Sequence, residues 1–522
     1  MKRILIFLLL AASTFSSCSK FLETEPEDFV TPDNYYNTEA DLRRALNGVY
    51  NRLIDNFGRM YSRGLFSYLA ISDEFFFKNI TIAQLKVMEF DAGQLDIGRF
   101  WETAYQGIDR ANLLLENINK PDMDETKRNV IKGETLFLRA YYYFLLVDHF
   151  GGVPLKLTST KSPTDKYLPR STVAEVYAQI VKDMQEAEPL VSDINGYNYN
   201  ETVTQTAVQA ILARVFLTMA GEPLKQTERY KDALAYADKV ISSGRHSLSP
   251  DYKQIFINHS QDKYDLQECI WEVGMFGNQL GNAQLAGAVG IENGLECLDE
   301  TIGYSGGGMH PTARMFEMYD PADPRRDWAI APYKYTVANG VTTKTFYTDA
   351  QVYDRTVGKW RREYETATPK NRTYNSTNFP VIRYADVLLM KAEAENEVNG
   401  PNADAYNAMN MVRRRGYGKP VNTPDATVDA PAGMDKAAFL AYLQDERARE
   451  LAFEAMRKHD LIRWGLYLQH MQTLAAEINA TAPSGFKYSG NAAKNVTARN
   501  LVFPIPNSEV TVNHLIIQNP NW

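Results

Sequence analysis

The sequence predicts a mostly α-helical fold, a scaffold of tetratricopeptide-like helical pairs carrying one long, loop-rich insertion. Three observations predict it. Apolar residues recur at the i, i+3, i+4, i+7 spacing of an amphipathic helix over many helix-length segments. Capping and stop residues mark the ends of those segments. Between about His246 and Pro380 the helical period lapses, and Gly, Asn, Tyr and Thr dominate.

The first helix is expected over Thr38 to Phe57. Leu42, Ala45, Leu46, Val49, Tyr50, Leu53 and Ile54 form one stripe, Thr38 with Asp41 resembles a capping box, and Gly58 is the stop. Phe100 to Ile118 repeats the stripe through Trp101, Ala104, Tyr105, Ile108, Ala111 and Leu115. Lys127 to Phe150 follows and ends at Gly151-Gly152-Val153-Pro154. Thr172 with Glu175 opens another helix, Thr206 to Ala220 ends at Gly221, and Glu228 to Ser243 ends at Gly244. Helices return at Arg383 to Val398, at Asp404 to Arg415, and from Asp435 to beyond Trp464. Each pair buries its apolar face by stacking on its neighbours, as in tetratricopeptide arrays, although no strict repeat signature recurs.

The N-terminus reads as an address. Met1-Lys2-Arg3 is basic, Ile4 to Ala12 is apolar, and small residues precede Cys18. The apolar run is shorter than the roughly 20 residues that span a bilayer. Residues 1–17 are therefore read as a lipoprotein signal and Cys18 as the lipidated residue. Plain secretion is the alternative, because Phe15 stands where bacterial lipoprotein signals usually carry Leu. Residues 18–37 then form an acidic tether, 38–245 the first part of the helical scaffold, 246–380 the ligand-facing insertion, and 381–522 the rest of the scaffold with the C-terminal segment.

Composition narrows the function. The 522 residues carry 56 Lys+Arg against 64 Asp+Glu, a net charge of −8. That balance argues against nucleic acid, which selects a basic face. Loss of Lys2 and Arg3 with the signal makes the mature chain more acidic still. Seven His and three Cys disfavour a multi-ligand metal protein, and no cofactor motif appears. Cys269 and Cys297 are left as either a disulfide or two buried thiols. Aromatic residues reach 12%, with 31 Tyr.

Catalytic patterns are weak. Gly303-Tyr304-Ser305-Gly306-Gly307 matches G-x-S-x-G, but Leu295 to Glu300 is a poor buried strand to precede a nucleophile elbow. Asp320, Asp323 and Asp327 lack the spacing of a Ca²⁺ loop and read as turn formers. Glu446, Glu450 and Glu454 lie four apart on one helix face amid Arg447, Arg449, Arg457, Lys458 and Arg463. Arginines hold carboxyls ionised, which spoils a general acid, so a structural ion-pair network is the reading. No catalytic residue is assigned.

The binding candidates are aromatic. Phe75, Phe76 and Phe77 follow Asp73-Glu74, and three adjacent aromatics are not expected all to face one core. Tyr304 stands in a glycine-rich loop, and Phe276 and Trp328 have similar character. An aromatic face beside a carboxylate suits the C–H face of a sugar.

Several stretches together resemble the SusD/RagB-type outer-membrane lipoproteins of Bacteroidetes. They are Trp101 to Asn112, Leu138 to Phe144 running into Phe150 to Pro154, Pro380 to Met390, Glu446 to Glu454, Asp460 to Gly465, and Pro504 to Pro506 with Gln518 to Pro520. Each is loose; in this order they are specific as a set. The resemblance implies four tetratricopeptide-like pairs with an inserted ligand-facing region. It implies a surface-exposed, non-catalytic capture protein, usually for glycans, anchored to the outer membrane by lipid. It implies a partner, a SusC-type TonB-dependent transporter that the protein caps like a lid. A polysaccharide or ester hydrolase, and a peptide-binding member of the same class, are the alternatives. The matched motifs are scaffold motifs, so Trp101, Arg383, Glu450 and Arg463 are expected to be structural. The family's sugar contacts have no transferable motif, which leaves Asp73, Phe75, Phe76, Phe77 and Tyr304 as positional candidates.

Overall fold

A computed structural model describes residues 35–55, 60–78, 84–165, 167–280 and 285–522. The leader, Cys18, most of the tether, Phe57 and Gly58 lie outside the described residues. No described helix is long and apolar enough to cross a membrane.

Helix α1 (Glu39–Tyr50) begins at the expected capping box. Asp41 N donates to Thr38 Oγ1 at 3.2 Å, and Thr38 N donates to Asp41 Oδ2 at 3.0 Å. It tightens into a 3₁₀ turn over Asn51–Ile54. α2 (Leu95–Asn117) starts earlier than its apolar stripe, because the Gln94 side chain caps Leu95 N. α3 (Glu125–Phe150) lies at the centre; every residue from Leu136 to Val147 is buried. α2 passes close over it at Gly107, where a Cβ would lie 2.5 Å from the Tyr142 ring. α4 (Val173–Ala187) starts at the Thr172–Glu175 capping box. Arg139 of α3 holds Asp183 of α4 through two bonds, 2.8 and 2.9 Å. α5 (Gln205–Ala220) and α6 (Arg229–Ser242) form the next pair, and α7 (Tyr252–Ser260) follows.

The strands are short and paired in twos, all antiparallel. β1 (Phe75–Phe77) pairs with β3 (Met309–Pro311), β2 (Cys269–Val273) with β6 (Phe379–Arg383), and β4 (Tyr333–Ala338) with β5 (Val341–Phe346). The β2–β6 pair brings together chain segments more than a hundred residues apart. The helical frame then resumes with α8 (Tyr384–Asn399), α9 (Ala403–Gly416), α10 (Lys436–Glu450), α11 (Arg457–Arg463) and α12 (Tyr467–Thr481). α8 packs against α6, α9 and α10, closing the frame.

One expected helix is broken. The run from Asp435 past Trp464 is three helices, and α10 stops at Glu450. Phe453 and Ala455 take positive φ, 62° and 66°. The backbone carbonyls that would continue the helix are bonded elsewhere: Lys359 Nζ donates to Glu450 O at 3.3 Å and to Ala452 O at 2.8 Å. Glu454 is therefore not on the helix face of Glu446 and Glu450, yet it reaches the same centre through the turn.

That centre is a buried ion-pair network. Arg383 bonds Glu268 at 2.8 Å, Glu450 at 3.1 Å and Glu454 at 2.7 Å. Arg415 bridges Glu268 and Glu450, 3.1 and 2.5 Å, and Arg325 joins Asp323, Glu446 and Glu450 at 2.7, 2.8 and 3.0 Å. Lys359 pairs with Glu454. Burial alone would raise the carboxyls, but the surrounding arginines hold Glu446 and Glu450 at about 2.

Removing one member strands its partners. Glu450→Gln is expected to cost about 3–5 kcal/mol, read as a lower urea midpoint. The pKa values of Glu446 and Glu450 fall on folding, from 4.5 to about 2. Their contribution is therefore present above about pH 4.5 and lost as pH falls toward 2. Unfolding midpoints measured across that window should drop in the wild type, with a smaller drop in Glu450→Gln.

Candidate ligand-facing surface

Four of the five positional candidates belong to the core. Phe75, Phe76 and Phe77 are 3%, 4% and 2% exposed. Alternation puts adjacent side chains on opposite faces of β1, and here both faces are covered. Phe75 meets Phe453 on one side, while Phe76 packs against His310, Tyr353 and Tyr488 on the other. The expectation that three adjacent aromatics leave one exposed fails because the strand lies inside the protein rather than at its surface. Asp73 is likewise buried. Arg457 donates to both its oxygens at 2.9 Å, and His470 Nδ1 lies 2.8 Å from Oδ2. Burial would raise this carboxyl, but Arg457 and His470 hold it well below the usual range. Glu74 beside it is pushed up to about 8 by burial and accepts from Phe453 N at 3.2 Å.

Tyr304 is the candidate that faces outward. It is half-buried, and its loop is built to present it. Cys297 and Ser305 exchange two backbone bonds, 2.9 and 2.8 Å, closing the loop base. Gly303 has φ +131°, and a Cβ there would sit 2.6 Å from Arg362 Cβ; Gly307 has φ +58°, with Glu296 Cβ at 2.7 Å. Both positions require glycine. Arg362 Nη1 donates to Tyr304 O at 2.6 Å, fixing the residue from behind. Over the ring lies the Arg372 guanidinium, 4.2 Å from the centroid, itself held by Glu300 at 2.9 Å. Asp299 ties the loop to the β4–β5 hairpin: the Thr342 and Thr301 hydroxyls bond it and hold its pKa at about 2. The neighbouring loop, tied on by Asn278 Nδ2 donating to Pro369 O at 2.7 Å, leaves Phe276 and Leu280 each 58% exposed.

The result is a half-buried ring with one face under the Arg372 guanidinium, which Glu300 holds in place. It offers a flat face and charged hydrogen-bonding groups. Arg372 and Glu300 were not singled out from sequence; Glu300 shares the Cys297–Ser305 loop with Tyr304, and Arg372 reaches both from a separate loop. Trp328 is buried beneath Arg361, 4.2 Å from its ring, and leaves the candidate set.

The groups of the hydrolytic alternatives are committed to structure. Ser305 is 1% exposed, and its Oγ donates to Ile291 O at 2.9 Å. Glu450 lies at the centre of the ion-pair network. Cys269 and Cys297 are both free and buried. His259, Cys269 and Glu272 cluster as metal ligands do, but Trp360 Nε1 donates to His259 Nδ1 at 3.2 Å. That leaves the ring proton on Nε2, 3.1 Å from the Cys269 sulfur, where a metal needs a bare nitrogen.

Comparison with known proteins agrees with the geometry. A family model described as "SusD family" matches residues 267–522. A second, described as "Starch-binding associating with outer membrane", matches residues 20–217. The chain belongs to the SusD/RagB family. SusD-like protein P25 of Formosa agariphila is 24% identical over 99% of this chain and 98% of its own. Starch-binding protein SusD of Bacteroides thetaiotaomicron is 24% identical over 80% of this chain and 76% of its own. A crystal structure of a SusD homolog from Bacteroides thetaiotaomicron superposes with a TM-score of 0.86 at 27% identity, covering 94% of this chain and 98% of that one. The helical frame described above is thus the tetratricopeptide-like frame of this SusD/RagB member.

The buried placement of Asp73 makes a testable distinction. Asp73→Asn is expected to destabilise the protein by about 3–5 kcal/mol in urea denaturation, leaving ligand affinity of the folded fraction unchanged. A variant of full stability that has lost ligand would return Asp73 to the binding surface.

Proposed function

We propose that this protein is a non-catalytic, surface-exposed lipoprotein that captures an oligo- or polysaccharide and passes it to a SusC-type TonB-dependent outer-membrane transporter. The observation that carries the proposal is Tyr304. A glycine-framed loop holds its half-buried ring with one face under Arg372, itself paired with Glu300, and an aromatic ring next to charged hydrogen-bonding groups suits a sugar's C–H groups and hydroxyls. A relative named for starch binding, and a family description that pairs starch binding with the outer membrane, support the ligand class and the location. In this reading Cys18 carries the lipid, residues 246–380 are the ligand-facing insertion, and the helical frame holds that insertion at a fixed angle over the transporter. The commitment of Ser305 and Glu450 to buried bonds favours capture over hydrolysis.

Titration against an oligosaccharide panel is expected to give binding with no new reducing ends. Tyr304→Ala should weaken it by about tenfold, or 1.4 kcal/mol, with the unfolding midpoint kept. Heat from peptides but from no glycan would overturn the ligand class. Turnover lost in Ser305→Ala would overturn the non-catalytic reading. Purification from solubilised membranes should bring down a transporter barrel, and recovery without one would remove the partner.

A further inference from the structure

A second concave region lies away from Tyr304. A cleft of about 550 Å³ opens between α1, α3, the loop before α5 and the end of β2. Its size is that of a small-ligand site. Its lining is unusual in charge. Glu134 of α3 is 4% exposed, and its Oε2 accepts from the Tyr50 hydroxyl at 2.6 Å. No described residue donates to its other oxygen. Glu201 accepts from the Tyr264 hydroxyl, and it stands where only glycine leaves room: a Cβ on Gly274 would lie 1.7 Å from Glu201 Oε1. The cation of the lining, Arg43, is taken by Glu39 at 2.8 Å. Two tyrosine rings complete the wall, Tyr197 and Tyr199, with centroids 5.5 Å apart and Tyr199 40% exposed.

We propose that this cleft binds a primary ammonium group carried on a sugar ring, that is, an unacetylated amino sugar. Two carboxylates bonded by tyrosine hydroxyls and by no described lysine or arginine supply the countercharge, with the Arg43 charge near Glu134 held by Glu39, and the tyrosine faces take the ammonium and the ring C–H groups. The electrostatics point the same way. Burial pushes Glu134 up to about 7 and raises Glu201, with Glu272 behind Glu201 adding to the rise. An incoming cation relieves that strain by restoring the ionised forms. The sugar part of the ligand rests on the glycan reading above; the ammonium part rests on Glu134 and Glu201 alone.

The test is calorimetric titration of the full chain near neutral pH with a glucosamine trimer, and with its fully N-acetylated counterpart as the uncharged control. The glucosamine trimer is expected to bind at least about tenfold more tightly. Glu134→Gln and Glu201→Gln should each remove that preference. Should Glu134→Gln fail to fold, Tyr199→Ala on the exposed wall carries the same expectation. Equal affinity for the two trimers, no binding of either, or a preference that survives both Gln variants overturns the proposal. Neutral glycans lost in Tyr304→Ala would still support the glycan reading, so the two fail separately.

Discussion

The salt bridge between Arg383 and Glu450, buried at the centre of the molecule, is the constraint on which the rest of the structure depends. Arg383 ends a strand, Glu450 ends a helix, and each is 1% exposed or less. Around them Glu268, Arg325, Lys359 and Arg415 arrive from separate parts of the chain. Withdrawing such groups from water is costly, so the network is favourable only when every member is present and bonded. That all-or-none character gives it specificity. A shift in strand register at β2–β6, or a continuous helix through residues 451–456, would leave an arginine unpaired. The bend that spoils the helix is thus the same feature that delivers Glu454 to Arg383 and Lys359.

A second set of pairs extends this hold outward. Arg457, just beyond the bend, clamps Asp73, and the Asp73–Phe77 segment carries β1 into its pairing with β3. Arg463 and Arg447 share Asp460, while Arg463 also holds Glu393 and Arg447 also holds Asp386. The stretch from Glu446 to Arg463 therefore touches the N-terminal segment, the loop-rich middle and α8. Its charges look like active-site chemistry in the sequence because they occur at helix spacing with both signs. In the structure they neutralise one another.

The parts of the fold that depend on local physics were legible in the sequence. Helix periods and the capping boxes at Thr38 and Thr172 depend on residues three and four apart, and both boxes formed. The parts that failed depend on distant partners. The 435–464 run has helical periodicity throughout, and distant groups, Lys359, Arg383, Tyr252, Asn293 and Glu74, bond the backbone after Glu450 and draw it out of helix. Phe75–Phe77 was expected to leave a ring exposed because three adjacent aromatics do not all face one core when only one side of a segment is covered. What covers the second face is His310, Tyr353 and Tyr488, and no local pattern announces them.

The same division separates the two proposed ligand surfaces. The outward placement of Tyr304 was legible because its loop needs glycines, which are visible as letters. Arg372 was not, since it is an ordinary surface residue until its loop meets Tyr304 and Glu300. The cleft was less legible still. Glu134 falls on a helix and Tyr197 in a polar turn, and neither departs from what those elements usually contain. What marks Glu134 is that a tyrosine hydroxyl, and no described arginine or lysine, bonds it where it borders a cleft. In a frame that neutralises its central arginines and glutamates against one another, a cleft carboxylate met by a hydroxyl rather than a cation keeps charge to offer, which is why the proposed cation site falls there and not in the network.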